Sequence, residues 1–411
     1  MHFLAPADAR SWIEVEPDSH FPIQNLPFGV IDRRGRRVAT RLGDTVIDLV
    51  ELADAGLLAL AARDSVDAAA LSLRPRLFEL FLEDASALRD NAALRARALT
   101  PASTARMALP MPVRAFVDFY SGINHASNVG KMFRPDSPPL LPNYRWLPVG
   151  YNGRASSVIV SGQRVRRPWG QTKGADDPAP VFAPTRELDF ELEMGFFLSG
   201  GSTIGEVVPI ERAEELMAGF VLVNDWSARD VQRWEYQPLG PFLAKSFATS
   251  ISPWIVSLDA LEPFRVAGMA QDPPALPHLR PGPHGHFDIR LEVSLKTAKM
   301  TRRQRISATN FRELYWSPAQ QLAHQSSNGT PLEAGDLYAS GTISGTEPGT
   351  YGSMLELTWR GSQPIRMDET GEERRFLEDG DEVTFTGYCQ GDGFRVGFGE
   401  VTATVLPAHL G

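Results

Sequence analysis

Cysteine is almost absent from this chain of 411 residues, which contains a single one, Cys389. One thiol cannot form an intramolecular disulfide, so the sequence excludes a disulfide-stabilised fold and favours a reducing compartment. Cys389 follows an apolar run that begins at Val383. We therefore interpret it as a small buried hydrophobic residue rather than a catalytic thiol.

Long apolar segments are also missing. No stretch approaches the ~18–20 apolar residues that a membrane-spanning helix requires. The first ten residues lack the continuous apolar core of a signal peptide. From these two absences we expect a cytoplasmic protein without a membrane partner.

Positive charge is scarce: 41 Lys and Arg residues face 50 Asp and Glu residues, which gives a net charge of −9. Nucleic-acid and membrane-surface binding both need a basic face, so neither is expected. The basic cluster 33–37 lies between two strand-like segments, Phe28–Ile31 and Val38–Leu42. It is interpreted as a solvated hairpin turn.

Turn-forming residues are abundant, with 35 Gly and 32 Pro. This composition, with short strand-like segments throughout, predicts a mainly β (α+β) fold. Residues 50–100 have helical spacing. The length suggests two domains, and we place them at 1–112, a scaffold domain with helices, and 113–411, a catalytic domain.

The most informative segment is a strand that alternates apolar and acidic side chains from 187 to 196. Period-2 alternation directs the apolar side chains into a core and the acids to the opposite face. Glu191 and Glu193 belong to this acidic face, together with Glu187 and Asp189. A solvated acidic face is one interpretation, and carboxylates that bind a hard divalent cation such as Ca²⁺ or Mg²⁺ are the other.

A second acidic site follows an apolar strand that ends at Asn224-Asp225. A helix is predicted to begin there with Ser227 as its N-cap. Asp225, Arg229, Gln232 and Tyr236 recur at helical spacing and would share one face, either solvated or facing an anionic ligand. Farther along, Lys245 is a lone charge in an apolar stretch, and buried lysines are rare unless paired.

A third segment brings together Asp118, Tyr120, His125 and Arg134. An isolated histidine is more often structural than catalytic, so these residues alone do not assign a function.

Taken together, the segments resemble the fumarylacetoacetate hydrolase family. The resemblance extends from about residue 20 to the end and is dense after 113. It depends on the motifs Asp118-Phe-Tyr, His125-Ala-Ser-Asn-Val-Gly, Pro148-Val-Gly-Tyr-Asn-Gly-Arg-Ala-Ser-Ser, Glu191-Leu-Glu, Asn224-Asp-Trp-Ser-Ala-Arg-Asp, Gly240-Pro-Phe-Leu-Ala-Lys-Ser-Phe, Ser340-Gly-Thr-Ile-Ser-Gly, Gly352-Ser-Met-Leu-Glu-Leu and Gly387-Tyr-Cys-Gln-Gly-Asp-Gly.

The resemblance implies a small SH3-like N-terminal barrel, a larger mixed β-roll domain and a homodimer. It also implies metal-dependent hydrolysis of the carbon–carbon bond of 4-fumarylacetoacetate to fumarate and acetoacetate, the last step of tyrosine and phenylalanine catabolism. An acylpyruvate hydrolase or an oxaloacetate-type decarboxylase on the same scaffold is the first alternative. A non-enzymatic protein with structural acids is the second.

The resemblance also implies a role for individual residues. By this resemblance, His125 is the general base and Glu356 is the acid that orients it. Three groups surround the oxyanion: Arg229, Gln232 and Lys245. Substrate contacts fall on Tyr120, Arg134, Tyr151, Gln232, Tyr236, Gly341 and Thr342. The resemblance implies that Ca²⁺ (or Mg²⁺) is bound by Asp118, Glu191, Glu193 and Asp225. It also implies a second Mg²⁺ or monovalent cation beside Lys245 and Thr249.

The formal charges of these residues are consistent with their lying in one site. The four acids carry −4, one divalent cation contributes +2, and Arg229 with Lys245 contribute another +2. The sum is zero, which a buried cluster of charges requires.

Overall fold

The structure, a computed structural model, describes residues 3–409 and is mainly β, as the composition predicts. The first 110 residues contain a five-stranded antiparallel sheet with the order β4-β3-β2-β1-β5. Its strands are β1 (Phe28–Asp32), β2 (Arg36–Leu42), β3 (Thr45–Asp48), β4 (Leu99–Pro101) and β5 (Met107–Ala108). The basic cluster 33–37 lies at the β1–β2 hairpin, as predicted: residues 33–35 form the turn, Arg36 and Arg37 begin β2, and most of the side chains are exposed.

Short helices cover this sheet, and side-chain caps explain where three of them begin. Asp48, Asp67 and Asn91 each accept a hydrogen bond from a backbone N–H of the first helical turn, which satisfies donors that have no partner within the helix. The helices are α1 (Leu49–Asp54), α2 (Ala68–Leu71), α3 (Arg74–Phe81) and α4 (Ala92–Ala98), with a 3₁₀ turn at Ala102–Thr104.

A seven-stranded mixed sheet forms the centre of the rest of the chain, with the order β7-β6-β21-β13-β14-β16-β8. Antiparallel β13 and β14 lie in its middle, and β6 pairs in parallel with β21 although the two are far apart in sequence. The strands are β6 (Phe116–Phe119), β7 (Gly150–Asn152), β8 (Val158–Val160), β13 (Leu192–Leu198), β14 (Met217–Asp225), β16 (Thr249–Ile251) and β21 (Leu337–Ala339).

A second, five-stranded sheet packs beside it, with the order β20-β19-β24-β25-β9. Cys389 lies in β24 and is fully buried, as interpreted from its apolar neighbours. The strands are β9 (Val165–Arg166), β19 (Arg290–Lys296), β20 (Gln304–Asn310), β24 (Glu382–Gln390) and β25 (Arg395–Leu406).

Helices and two-stranded ribbons connect these sheets. The α-helices are α5 (Ile123–Phe133), α6 (Arg229–Glu235), α7 (Leu258–Leu261), α8 (Pro318–Ser326) and α9 (Met354–Leu357). The ribbons pair β10 (Trp169–Thr172) with β11 (Val181–Pro184), β12 (Leu188–Asp189) with β15 (Ser227–Ala228), β17 (Arg265–Val266) with β18 (His286–Phe287), and β22 (Ile365–Arg366) with β23 (Glu373–Arg374). Further 3₁₀ turns lie at Ala155–Ser157, Ile210–Leu216, Glu262–Phe264, Pro277–Leu279 and Phe311–Glu313.

The seven-stranded sheet is buried on both faces. One face and the five-stranded sheet enclose a core that contains the predicted apolar side chains of the acidic strand. The other face packs against the helices of the N-terminal region through residues such as Val221, Val223 and Leu337. Sheets covered on both sides expose little to water, and Asp189, Glu191 and Glu193 accordingly lie in the interior. Glu187, at the start of the segment, is half-buried and pairs with Arg233.

None of the helices within residues 3–409 is both long and apolar enough to cross a membrane.

Candidate active site

A cavity of about 340 Å³ lies beside the end of β6 and the start of α6. Its wall combines charged, phenolic and apolar groups. Among the predicted residues, the lining includes Asp118, Tyr120, His125, Arg134, Tyr151, Glu191, Arg229, Gln232, Tyr236, Lys245, Gly341 and Thr342. Segments that are distant in sequence therefore converge on one space.

Four buried carboxylates cluster at this cavity, and two of them, Asp118 and Glu191, line it. Each of Asp118, Glu191, Glu193 and Asp225 offers an oxygen, and these oxygens all lie within 4.8 Å of one another. Asp118 comes from β6, Glu193 from β13 and Asp225 from the end of β14, while Glu191 lies just before β13. The seven-stranded sheet thus brings together acids that the sequence separates by more than a hundred residues.

The acidic cluster fits a hard divalent cation. Asp118 Oδ1 and Glu193 Oε1 are buried and accept no hydrogen bond from any residue in the described range 3–409. Burial and the charge of Asp225 raise the pKa of Asp118 well above its usual value, and burial with the charge of Asp118 does the same for Glu193. A cation with oxygen ligands would satisfy these oxygens and favour their charged form.

Asp225 is surrounded by donors. Its Oδ1 accepts a hydrogen bond from Thr249 Oγ1 at 2.7 Å, and its Oδ2 accepts from Lys245 Nζ at 2.9 Å and from Tyr151 OH at 3.1 Å. The predicted substrate contact Tyr151 therefore also fixes a carboxylate of the acidic cluster. Lys245 is 6% exposed and contacts Glu191 as well, so the lone charge of the apolar stretch is paired.

Arg229 links the acids to the helix α6. Its Nη1 lies 2.8 Å from Glu191 Oε1 and 3.2 Å from Gln232 Oε1, whereas Nη2 has no hydrogen-bond partner among the described residues. Burial alone would raise the pKa of Glu191. The positive charges of Lys245 and Arg229 have a larger effect, so the pKa is lowered. One guanidinium nitrogen is left to donate to a ligand in the cavity.

His125 and Glu356 form a buried pair. His125 lies in the first turn of α5 and is 2% exposed, and its Nδ1 is 2.7 Å from Glu356 Oε2. Its other ring nitrogen, Nε2, is 4.0 Å from Glu191 Oε1. Because Glu356 occupies the Nδ1 side, Nε2 is the nitrogen next to the acidic cluster.

Three further residues hold Glu356 in place, and the sequence analysis gave them no role. Asn128 Nδ2 donates to Oε1 at 3.0 Å, while Ser344 Oγ and Ser353 Oγ donate to Oε2 at 2.8 and 2.9 Å. Two of these contacts could be predicted from local sequence spacing. Asn128 is one helical turn after His125, and Ser353 precedes Glu356 by the spacing of an N-cap. The contact with Ser344 depends on tertiary structure.

The remaining predicted residues also line the cavity. Tyr120 packs edge-on against His125, with 5.4 Å between ring centroids. Arg134 Nη2 donates to the Pro139 carbonyl at 2.9 Å, while its buried Nε has no partner within residues 3–409. Tyr236 lies at the end of α6 and its hydroxyl accepts from Gln237 Nε2 at 3.1 Å.

Gly341 and Thr342 complete the lining, just after the end of β21. Gly341 has φ +77°, and a Cβ here would lie 2.3 Å from the Phe119 carbonyl oxygen, so a side chain does not fit. The Gly341 N–H donates to Glu193 Oε2 at 3.0 Å. Thr342 Oγ1 is buried and has no partner in the described part of the chain.

The predicted helix after Asp225 is placed differently in the structure. Ser227 is not its N-cap: it pairs with Asp189 in the β12–β15 ribbon, and α6 begins at Arg229 with Ala228 as the cap. Asp225 consequently belongs to β14 rather than to the helix. Arg229 and Gln232 do share a helix face, as their 3.2 Å contact shows.

Comparisons with known proteins agree with this architecture. Residues 24–110 match the family model described as "Fumarylacetoacetase N-terminal", and residues 114–406 match "Fumarylacetoacetate (FAA) hydrolase C-terminal". Among solved structures, a fumarylacetoacetate hydrolase from psychrophilic Exiguobacterium antarcticum is similar with a TM-score of 0.52 and 16% identity, covering 93% of this chain and 99% of that chain. The structural likeness concerns the fold alone.

Curated relatives are much closer in sequence. The fumarylacetoacetase of Caenorhabditis elegans is 47% identical over 419 residues, covering 98% of this chain and 100% of the relative. The fumarylacetoacetase of Homo sapiens is 48% identical over 417 residues, covering 97% of this chain and 99% of the relative. These matches confirm the resemblance that the motifs indicate.

Proposed function

Because the chain belongs to the fumarylacetoacetate hydrolase family, we propose that it hydrolyses the carbon–carbon bond of 4-fumarylacetoacetate to fumarate and acetoacetate. The observation that carries the proposal is the His125–Glu356 pair beside a cluster of four buried carboxylates, with His125, Asp118 and Glu191 lining one cavity. A base that activates water and a site for a divalent cation are the two elements that this reaction needs.

We assign the cation to Asp118, Glu191, Glu193 and Asp225, and we propose Ca²⁺, or Mg²⁺ in its place, because both prefer oxygen ligands. When bound, such a cation polarises the attacked carbonyl and stabilises the enolate that leaves. A second Mg²⁺ or monovalent cation beside Lys245 and Thr249 also stays a proposal. In the structure, the side chains of both residues donate to Asp225.

His125 is proposed as the general base. With Nδ1 held by Glu356, the unprotonated Nε2 takes a proton from a water molecule, and the resulting hydroxide attacks the carbonyl carbon. A positioned base of this kind typically contributes roughly 10²–10⁴-fold to the rate. Burial opposes the charge of Glu356, but His125 and the surrounding hydrogen bonds lower its pKa. An ionised Glu356 stabilises the imidazolium and fixes its tautomer.

The attack places negative charge on the former carbonyl oxygen. Arg229, Gln232 and Lys245 are proposed to donate hydrogen bonds to this oxyanion, and the unpartnered Nη2 of Arg229 supports the assignment. When the tetrahedral species collapses, the carbon–carbon bond breaks. The fumarate half leaves as an acid that loses its proton to become a carboxylate, and the enolate half accepts the proton that His125 took from water, which gives acetoacetate.

Substrate positioning is assigned to Tyr120, Arg134, Tyr151, Tyr236, Gly341 and Thr342. Arg134 suits the distal carboxylate of the substrate because a guanidinium can donate two hydrogen bonds to it. Its buried, unpartnered Nε supports this role. Apolar residues of the cavity such as Val129, Phe133 and Leu141 would contact the carbon chain between the two ends.

We also propose that the chain acts as a homodimer in the cytoplasm and consists of a scaffold domain, 1–112, and a catalytic domain, 113–411. The family supports the homodimer, and the sequence composition supports the compartment. Size-exclusion chromatography with light scattering tests the dimer directly.

The decisive experiment incubates the protein with fumarylacetoacetate, with and without a chelator, and follows the loss of diketone absorbance. We expect turnover that the chelator abolishes and that returns when Ca²⁺ or Mg²⁺ is added. Acetylpyruvate in parallel tests the acylpyruvate-hydrolase alternative. His125→Ala should abolish turnover and leave calorimetric metal binding intact, whereas activity near that of the wild type would contradict the assignment of the base.

A further inference from the structure

Asp189 is a fully buried acid close to the site but outside the four-carboxylate cluster. Its two oxygens accept three hydrogen bonds. Oδ1 accepts from the Met354 backbone N–H at 2.7 Å, and Oδ2 accepts from the Leu355 backbone N–H at 3.0 Å and from Arg229 Nε at 2.8 Å. The carboxylate therefore joins a side chain of α6 to the backbone of α9.

The two elements that Asp189 joins have different tasks in the proposed reaction. On one side is Arg229, whose Nη1 contacts Glu191 and whose Nη2 is left to donate into the cavity. On the other side, the first turn of α9 contains Glu356, which holds the imidazole of His125. Asp189 thus contacts Arg229 directly and holds Glu356 indirectly, through the backbone of the two residues that precede it in α9.

We propose that Asp189 is a positioning residue that fixes the oxyanion donor Arg229 and the Glu356–His125 pair relative to one another. The inference goes beyond the proposed function but depends on it, since it assigns to Asp189 the geometry of groups to which that function gives catalytic roles. Asp189 contacts neither the cavity nor the reacting atoms, so it acts through its partners.

An amide in place of this carboxylate cannot make the same contacts. All three partners are donors, and asparagine offers one oxygen acceptor and one NH₂ group that is itself a donor. If the oxygen faces Met354, the NH₂ group meets both Leu355 N–H and Arg229 Nε–H. In the opposite orientation, the NH₂ group meets Met354 N–H. Either orientation displaces the start of α9 or the guanidinium of Arg229.

The expected consequence is a loss in kcat rather than in binding. Removing one oxyanion donor typically lowers kcat ~10²–10³-fold, and a displacement of about 1 Å costs ~10²-fold. We therefore expect Asp189→Asn to lower kcat by about 10²-fold and to change KM by less than about threefold. The affinity for Mg²⁺ should change little, because Asp189 is not one of the four clustered acids.

A matched control comes from Asp381, a buried acid with the same types of partner away from the cavity. It is 1% exposed and accepts from Arg374 Nε at 2.9 Å, from Arg374 Nη2 at 3.1 Å and from the Glu378 backbone N–H at 2.9 Å. Asp381→Asn should lower the Tm as Asp189→Asn does and leave kcat unchanged. If Asp189→Asn retains the kcat of the wild type, or if both variants lose kcat equally, the proposal is overturned.

A second readout does not require turnover. The proton between His125 Nδ1 and Glu356 should give a downfield proton resonance, assigned by its upfield shift in Glu356→Gln, where a neutral amide oxygen replaces the charged acceptor. Asp189→Asn should shift or broaden this resonance and Asp381→Asn should not; an unshifted resonance in Asp189→Asn overturns the proposal. If the wild type fails to hydrolyse fumarylacetoacetate, the proposed function fails and the resonance still decides the role of Asp189.

If Asp189→Asn does not fold, Asp189→Glu takes its place in both measurements. This variant keeps the charge and moves it by one methylene group, so it perturbs geometry alone. Lowered kcat with a shifted resonance supports the positioning role. A kcat and a resonance equal to those of the wild type overturn it.

Discussion

Replacing Glu356 with glutamine would remove one negative charge from the His125 pair and nearly conserve the shape of the side chain. The amide oxygen can still accept from His125 Nδ1, and the hydroxyls of Ser344 and Ser353 can reorient. Asn128, which donates to the other oxygen, can rotate its amide to accept from the new NH₂ group. The substitution therefore tests the charge of Glu356 rather than its volume.

The size of the effect follows from the electrostatics of a buried pair. With charge centres ~4 Å apart and an effective dielectric constant of about 20, a carboxylate stabilises an imidazolium by about 4 kcal/mol. Since each 1.36 kcal/mol of activation free energy is tenfold in rate, kcat should fall by about 10³-fold. KM and Mg²⁺ affinity should change little, because Glu356 is outside the acidic cluster.

The assay is steady-state hydrolysis of fumarylacetoacetate, with Mg²⁺ binding measured by calorimetry. Asp48→Asn serves as the control: Asp48 is a buried acid of the N-terminal region that accepts from Arg37 Nε at 2.6 Å and from the Val50 backbone N–H at 2.9 Å. It should lower stability and leave kcat unchanged. A kcat for Glu356→Gln within about threefold of the wild type would refute the electrostatic argument.

The same variant has a pH signature in stability. The pKa of Glu356 is lowered from its ordinary value of 4.5 in the folded protein, because His125 and the hydrogen bonds outweigh the opposing effect of burial. A depressed carboxyl pKa contributes stability that is complete above the unfolded value and lost as pH falls through the folded value. The difference in unfolding free energy between wild type and Glu356→Gln should therefore shrink below about pH 4.5, as urea titrations at several pH values can measure.

Three further predictions concern the acidic cluster and the substrate. Asp225→Asn should weaken the affinity for Mg²⁺, and calorimetry that finds unchanged binding would remove Asp225 from the proposed ligands. Arg134→Ala should raise KM most for substrates with a distal carboxylate; an equal rise for neutral analogues would indicate a structural role. Because the pKa values of Asp118 and Glu193 are raised without a cation, metal binding should release protons and tighten as pH rises. Calorimetric heats in PIPES and Tris should then differ with the ionisation enthalpy of the buffer, and equal heats would contradict this.

Local patterns in the sequence predicted much of the site. The alternation between 187 and 196 correctly separated the acids from the core residues, because side chains of a strand alternate whatever surrounds them. The pattern could not distinguish a solvated face from a buried one, however. Burial of the acids depends on strands from elsewhere in the chain, such as β6, which carries Asp118.

The predicted N-cap of α6 was wrong, because tertiary structure overrides the local signal. Ser227 has the side chain of a good N-cap, yet its backbone pairs with Asp189 in a two-stranded ribbon and its hydroxyl donates to the Asp225 carbonyl at 3.1 Å. This pairing joins segments that are nearly forty residues apart, so no local signal contains it. Asp189 was recognised only as one more acid on a strand for the same reason: its partners Met354 and Leu355 are distant in sequence.

The parallel pairing of β6 with β21 has a consequence for the synthesis of the protein. Asp118 lies in one of these strands, and Gly341, which donates to Glu193, lies two residues after the end of the other. During synthesis from the N-terminus, the acidic residues emerge long before their partner strand and before Glu356, and they stay hydrated until the chain is nearly complete. A shortened product that ends anywhere before residue 356 would lack the acid that holds His125, however well its N-terminal region had folded. The reaction centre therefore cannot be complete until most of the chain has been synthesised.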